Sequence, residues 1–240
     1  MKDSVVIIPT YNEIENIEAI VKAVFAQSDA LHILVVDDNS PDFTSAKVKE
    51  LQNEFSNRLF LEVRQEKSGL GTAYIHGFKW AIEKKYEYIF EMDADFSHNP
   101  TDLIKLYNAC KLEGASLSIG SRYKTGVNVV NWPMNRVLMS YLASKYVRLI
   151  TGMQIHDTTA GFVCYKREVL ETIDLNTIKF IGYAFQIEMK FKAYLKGFKI
   201  IEVPVIFTDR TKGVSKLSGG IISEAIFGVI TMKLKSLFKK

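Results

Sequence analysis

Short apolar runs alternate with longer stretches in which apolar residues recur at helical spacing, and the first half of the chain keeps that rhythm. Residues 4–8, SVVII, form a β-branched run ended by Pro9, which predicts a buried strand followed by a turn. Across residues 12–27, Ile14, Ile17, Ile20, Val21, Val24 and Phe25 recur at helical spacing. A second strand is expected at 31–36, closed by Asp37-Asp38-Asn39-Ser40-Pro41, then a polar helix over 44–55 and a third strand at 59–63. Lys67-Ser68-Gly69-Leu70-Gly71 opens another helix that runs to Ile82. The fourth strand, 88–92, ends abruptly in Asp93 and Asp95; a helix starts near Pro100, and 116–120 is the fifth strand. Strands alternating with helices predict an α/β fold with a mostly parallel central sheet and right-handed crossovers.

Beyond Ser121-Arg122-Tyr123 the rhythm changes. Trp132-Pro133 introduces a helix to Ile150, with the proline well placed in a first turn. Residues 158–165 predict a turn and a strand, 185–195 a helix, and 198–207 a strand or strand pair bent at Pro204. Residues 221–238 are apolar with helical period, broken by Glu224, Lys233 and Lys235. Such a helix is only ~27 Å long, so lying in a membrane interface is expected over crossing it, with packing on the chain's own core as the alternative. The expected organisation is one domain over residues 1–220, with 221–240 as a basic amphipathic helix that belongs to it or touches a membrane surface.

At 240 residues the chain is long enough to bury a sizeable core. Its net charge of +4 excludes a nucleic-acid-like polycation, so no nucleic-acid partner is expected. The charge is uneven, however. Arg210, Lys212, Lys216, Lys233, Lys235, Lys239 and Lys240 face only Asp209 and Glu224 in the last stretch, which suggests phosphate or a membrane surface as partner. Cys110 and Cys164 are isolated and fit buried thiols in a reducing compartment. No leader peptide and no run of ~18 apolar residues is evident, so a cytoplasmic protein, peripheral on the cytoplasmic face of a membrane, is expected.

The candidate chemistry begins at Asp93 and Asp95. Two carboxylates at the carboxyl end of a buried strand repel each other unless something cationic joins them. Mg²⁺ or Mn²⁺ meets that need, taking one or two carboxylates and completing its shell with water and phosphate. Asp37-Asp38 resembles the acidic pair of a phospho-receiver domain, but a full strand-helix unit precedes it here. Gly69-Leu70-Gly71 lacks the third glycine of a dinucleotide fingerprint, and a Walker lysine loop is absent. What remains is a set of acidic strand ends at Asp38, Asp93 and Asp95 with Arg122, Arg136, Arg210 and Lys216 further on. That combination suits a nucleoside diphosphate joined to a second group.

Six blocks occur in one order: PTYNE (9–13), VVDDNSPD (35–42), KSGLGTAY (67–74), MDADFSHNP (92–100), GSRY (120–123) and DRTKGVSK (209–216). Together they resemble the GT-A family 2 glycosyltransferases, specifically the polyprenol (dolichol) phosphate mannose synthases. The resemblance implies a GT-A fold and inverting, metal-dependent transfer of mannose from GDP-mannose to a polyprenyl monophosphate. Carried over by residue, it implies Pro9, Tyr11, Glu13, Val36 and Asp38 on the guanosine, and Asp93, Ala94 and Asp95 along the diphosphate. The metal would sit on Asp95 helped by Asp93, and Arg122, Arg210 and Lys216 would gather donor and acceptor phosphates. Arg136 and Ser140, four apart and so on one helical face, would reach the acceptor. Asp95, Arg122 and Arg210 would then be the catalytic residues, and Asp157 an organiser of arginine or helix geometry rather than a base. The chain would meet the lipid through a membrane surface or a membrane-anchored subunit. Phe43 and Phe96 depart from the Gly and Leu usual in the family. Alternatives are UDP-glucose or another sugar nucleotide as donor in the same fold, or a non-enzymatic nucleotide-sugar-binding subunit.

Overall fold

The sheet grows outward from β1 (Ser4–Thr10), whose side chains alternate between two cores: Val5 and Ile7 face one, Val6 and Ile8 the other. In this computed structural model, residues 1–210 and 219–238 are described. After β1 come α1 (Ile17–Phe25), β2 (Leu31–Asp37), α2 (Thr44–Leu51), β3 (Leu59–Val63), α3 (Leu70–Glu83), β4 (Tyr88–Glu91), α4 (Leu103–Lys111) and β5 (Leu117–Ser121). The remainder is β6 (Val129–Val130), α5 (Met134–Thr151), β7 (Val163–Lys166), α6 (Arg167–Thr172), α7 (Tyr183–Leu195), β8 (Ile200–Pro204), β9 (Phe207–Thr208) and α8 (Gly219–Phe238).

Among the described residues the main sheet has seven strands in the order β3-β2-β1-β4-β7-β5-β8. All run one way except β7, which is antiparallel to both of its neighbours. The expected α/β class with a mostly parallel sheet is the one adopted, and β7 is the exception that periodicity did not reveal. The short helix α6 was likewise not anticipated. A parallel pair, β6 and β9, lies beside the main sheet. The first helix starts later than expected because Asn12, Glu13 and Ile14 donate their N–H groups to the side chains of Ser40, Thr44 and Asp42. Pro9 sits inside β1 rather than after it. The β1–β4 ladder ends at Ile7–Glu91, and the Ile7 and Thr10 carbonyls turn to opposite neighbours, so the missing N–H of Pro9 falls where no partner strand remains.

The sheet order reverses at β1 and β4. Chains of this class open a crevice at the carboxyl ends of the strands at that point. Helix α3 is pressed onto the sheet there: a Cβ on Gly77 would lie 2.7 Å from Ile7, so only glycine allows the approach. Helix α8 packs across α5 and α7 with Val229 fully buried. It therefore docks on the protein's own core along one side, while Phe227, Leu234, Leu237 and Phe238 remain exposed on the other. No helix among the described residues is long and apolar enough to cross a membrane.

Phe43, just before α2, is 75% exposed and has a φ of 68°, a left-handed conformation that a bulky side chain rarely adopts. Phe43→Gly is expected to stabilise the fold by about 1 kcal/mol, read as a rise in Tm of roughly 2–4 °C. An unchanged or lower Tm would show that the ring contributes contacts that outweigh the strain.

Candidate active site

All four residues of β4 are buried, and the chain leaves the sheet straight into the loop carrying Asp93 and Asp95. Phe96 turns that loop with a φ of 61°. The Asp93 N–H donates to Nδ1 of His98 at 3.1 Å, and the Ser97 N–H donates to Oδ1 of Asp95 at 3.1 Å. Tyr74, from α3, donates its hydroxyl to Oδ1 of Asp93 at 3.3 Å. Desolvation and the neighbouring Asp95 charge push the Asp93 carboxyl above the ordinary carboxylate range. Burial pushes Asp95 up as well, but the hydroxyl and N–H of Ser97, with Arg210, outweigh it and hold Asp95 low. Burial keeps the His98 imidazole neutral, far below its usual pKa.

Arg122 follows β5 and is locked from two sides. Its Nε and Nη2 donate to the two carboxylate oxygens of Asp157 at 2.7 and 2.6 Å, its backbone N–H to the same side chain at 2.9 Å, and Nη2 also to Thr159 at 2.9 Å. Asp157 is fully buried; burial raises its pKa, yet Arg122 overrides that and holds it low. Asp157 thus orients an arginine, one of the two roles that the sequence left open for it. Arg136, in the first turns of α5, pairs with Asp209 at 2.8 Å and lies over the Trp132 ring at 4.0 Å. Arg210 reaches Oδ2 of Asp95 at 3.2 Å.

These groups share one cavity of about 480 Å³. Asp93, Asp95, Arg122, Arg136, Ser140 and Arg210 all line it, so among the described residues the structure brings the expected metal and acceptor-side residues together. Its far wall is apolar, built by Met139, Leu142, Ala143, Tyr146 and Val147 of α5 with Ile187 of α7. Lys216 lies outside the described residues. Pro9, Tyr11, Glu13, Val36, Asp38 and Ala94 do not line that cavity; they stand at the carboxyl ends of β1, β2 and β4 beside it.

At that neighbouring edge the two adjacent aspartates divide their work. Asp37 is occupied within the loop, accepting from the Thr10 and Ser40 hydroxyls at 2.7 and 2.6 Å and from the Ser40 N–H at 2.9 Å. Asp38 instead accepts from Nε of Arg64 at 2.6 Å, and Arg64 donates onward to Thr72 at 2.8 Å. Lys67 lies over the Tyr11 ring at 4.4 Å. Sequence reasoning overlooked Arg64, although it follows the apolar run of β3 as Asp93 closely follows that of β4. It also overlooked the buried layer beneath the cavity. There Gln186 donates to Glu91 at 2.7 Å, while Lys190 donates to the Ala160 carbonyl at 2.6 Å and to Oε1 of Gln186 at 3.3 Å. Burial raises Glu91 and lowers Lys190, each partly offset by the other's charge.

Two carboxylates on one cavity wall fit a hard divalent ion that draws its other ligands from phosphate and water. Among the described residues no group of three or more His, Cys, Asp or Glu side chains could hold a metal, so among them a site at Asp93 and Asp95 has two carboxylates and would draw its remaining ligands from phosphate and water.

The sequence pattern of the family Glycosyl transferase family 2 matches residues 5–174. A polyprenol monophosphomannose synthase of Mycolicibacterium smegmatis is 48% identical over 226 residues, covering 94% of this chain and 85% of the relative. An undecaprenyl-phosphate mannosyltransferase of Micrococcus luteus is 42% identical over 223 residues, covering 93% and 90%. A dolichol-phosphate mannosyltransferase of Pyrococcus furiosus is 39% identical, covering 91% of this chain and 60% of the relative. Among solved structures, glucosyl-3-phosphoglycerate synthase of Mycobacterium tuberculosis, in complex with Mn²⁺, UDP and glucosyl-3-phosphoglycerate, superposes with a TM-score of 0.70 at 16% identity. That match covers 96% of this chain and 79% of the other, and it establishes a GT-A fold.

Proposed function

The chain belongs to glycosyl transferase family 2, and we propose that it transfers mannose from GDP-mannose to a polyprenyl monophosphate, inverting the sugar's anomeric carbon. The carrying observation is the cavity itself, acidic at the β4 end, lined with arginine beside it and apolar beyond. The arginines and the apolar wall complement the anionic head and apolar chain of a lipid phosphate, and the acidic end fits a cation.

A polyprenyl monophosphate has a second ionisation near ~6 by analogy with phosphorylated side chains, so its oxygen is a nucleophile at neutral pH and needs no protein base. Arg122, held rigid by Asp157, and Arg136, held by Asp209 and Trp132, would grip that phosphate and set its line of attack. The oxygen attacks the sugar C1 while the bond to the diphosphate breaks, leaving GDP. Asp93 and Asp95 would hold Mg²⁺ or Mn²⁺, which supplies Lewis-acid stabilisation to the leaving diphosphate. Asp38 with Arg64, beside Pro9, Tyr11, Glu13 and Val36, would take the guanosine. Lys216 would add to the phosphate-binding set.

Donor identity is tested by incubating the protein with GDP-mannose, UDP-glucose or UDP-GlcNAc, a short polyprenyl phosphate and Mn²⁺, and resolving the lipid products. Product from GDP-mannose alone is expected; product from a UDP-sugar alone would replace the mannose reading. Arg210→Ala is expected to raise the KM for the lipid phosphate at least tenfold, with GDP affinity changed less than threefold, on the scale of one charge-assisted hydrogen bond. Equal losses would place Arg210 on the donor.

The same reading puts the protein at the cytoplasmic face of a membrane, either directly or through a membrane-anchored subunit. Met134, Leu138, Leu142 and Leu149 of α5 and Leu234, Leu237 and Phe238 of α8 are exposed, with Lys145, Arg148, Lys233 and Lys235 on the same two helices. Replacing Leu237 and Phe238 together by Asp is expected to reduce co-sedimentation with anionic liposomes several-fold; undiminished binding would discard direct contact through α8.

A further inference from the structure

His98 carries a chemical task that the residues above leave open. It is 4% exposed, stacked on Phe162 at 4.8 Å and 10°, with the edge contact to Phe207 at 5.5 Å and 80°. Held between two rings, the imidazole has a fixed orientation. Its Nδ1 accepts the Asp93 N–H at 3.1 Å and so bears no hydrogen, which places the ring proton on Nε2. Nε2 makes no hydrogen bond among the described residues, and His98 lines the cavity. Phe207 also touches Trp132 and lies 5.5 Å from the Arg122 guanidinium, so His98 stands between the acidic loop and the arginines.

We propose that His98 donates from Nε2–H to an oxygen of the acceptor phosphate. This deepens the reading of the cavity as a lipid-phosphate site and rests on it. A neutral, rigid donor complements the arginines: they attract the phosphate by charge, and His98 selects which oxygen is turned away from C1. A protonated Nε2 has no lone pair for a metal ion, so the residue acts on the acceptor and not on the cation.

The test is direct binding of a short-chain prenyl phosphate by calorimetry, without sugar donor, for wild type, His98→Asn and His98→Gln. Asparagine can keep an oxygen for the Asp93 N–H but has no donor at the Nε2 position; glutamine can place an amide N–H there. His98→Asn is expected to bind about tenfold to a hundredfold more weakly, the scale of a hydrogen bond to a charged group, and His98→Gln to recover part of that loss. GDP and Mn²⁺ affinities should stay near wild type. Equal prenyl phosphate binding by His98→Asn and wild type would overturn the role of His98 alone. An equal loss of GDP or Mn²⁺ affinity would also overturn it. Wild type that binds no prenyl phosphate would overturn the lipid-phosphate reading as well.

Discussion

Replacing Asp95 by alanine is expected to lower mannolipid formation about a thousandfold or more, the scale on which removal of electrostatic stabilisation from a leaving group acts. Asp95 is the carboxylate that stays ionised: Ser97 and Arg210 hold its pKa down while Asp93 is pushed up. Without it, the neighbouring Asp93 becomes easier to ionise but stands alone, leaving one protein carboxylate where two would share the cation. The fold should survive, because the lost contacts are the Ser97 N–H bond and the partly exposed Arg210 pair. A Tm within a few degrees of wild type, with transfer measured at saturating Mn²⁺, checks both halves. Turnover within tenfold of wild type would remove Asp95 from the metal role.

Asp157→Ala is expected to cost roughly 3–5 kcal/mol of stability, the scale for breaking one side of a buried ion pair, and to lower Tm by roughly 6–20 °C. The pair's side chains are 9% and 0% exposed, and three donors of Arg122 converge on the one carboxylate. Removing it leaves a buried guanidinium with little compensation. It also frees Arg122 from its fixed orientation, so acceptor use should fall even in the fraction that remains folded. Asp157→Asn, which keeps acceptor oxygen but not charge, should fall between. A contrasting control is Glu18→Ala: Glu18 pairs with Lys22 and Lys47 on the exposed surface, so its loss should move Tm far less than that of Asp157. Thermal melts of the three variants check the ordering; Asp157→Ala melting with wild type would contradict it.

Much of the sheet was legible because a strand buried on both faces is a continuous apolar run, as in residues 4–8, 31–36 and 88–92. The acidic tips were legible for a related reason: charge abruptly ending such a run marks the place where the chain leaves the core. Strand β7 was found, but its direction was not. The antiparallel insertion between β4 and β5 depends on where the chain returns after α5, which local periodicity does not encode. The start of α1 was misjudged because side chains of Ser40, Asp42 and Thr44, far along the chain, claim its would-be first N–H groups. Distance in sequence also hid the supporting groups. Arg64 meets Asp38 across 26 residues, Asp209 meets Arg136 across 73, and Gln186 meets Glu91 across 95. Each looks like an ordinary polar residue until the fold supplies its partner.

The central claim is that one cavity brings a lipid's phosphate to a metal-held nucleotide sugar. It is tested most directly by offering GDP-mannose and Mn²⁺ with either a polyprenyl phosphate or the corresponding phosphate-free polyprenol, and measuring organic-extractable mannolipid. The account predicts product from the phosphate alone, lost when EDTA is added. Equal product from the free alcohol, or undiminished product in EDTA, would contradict it.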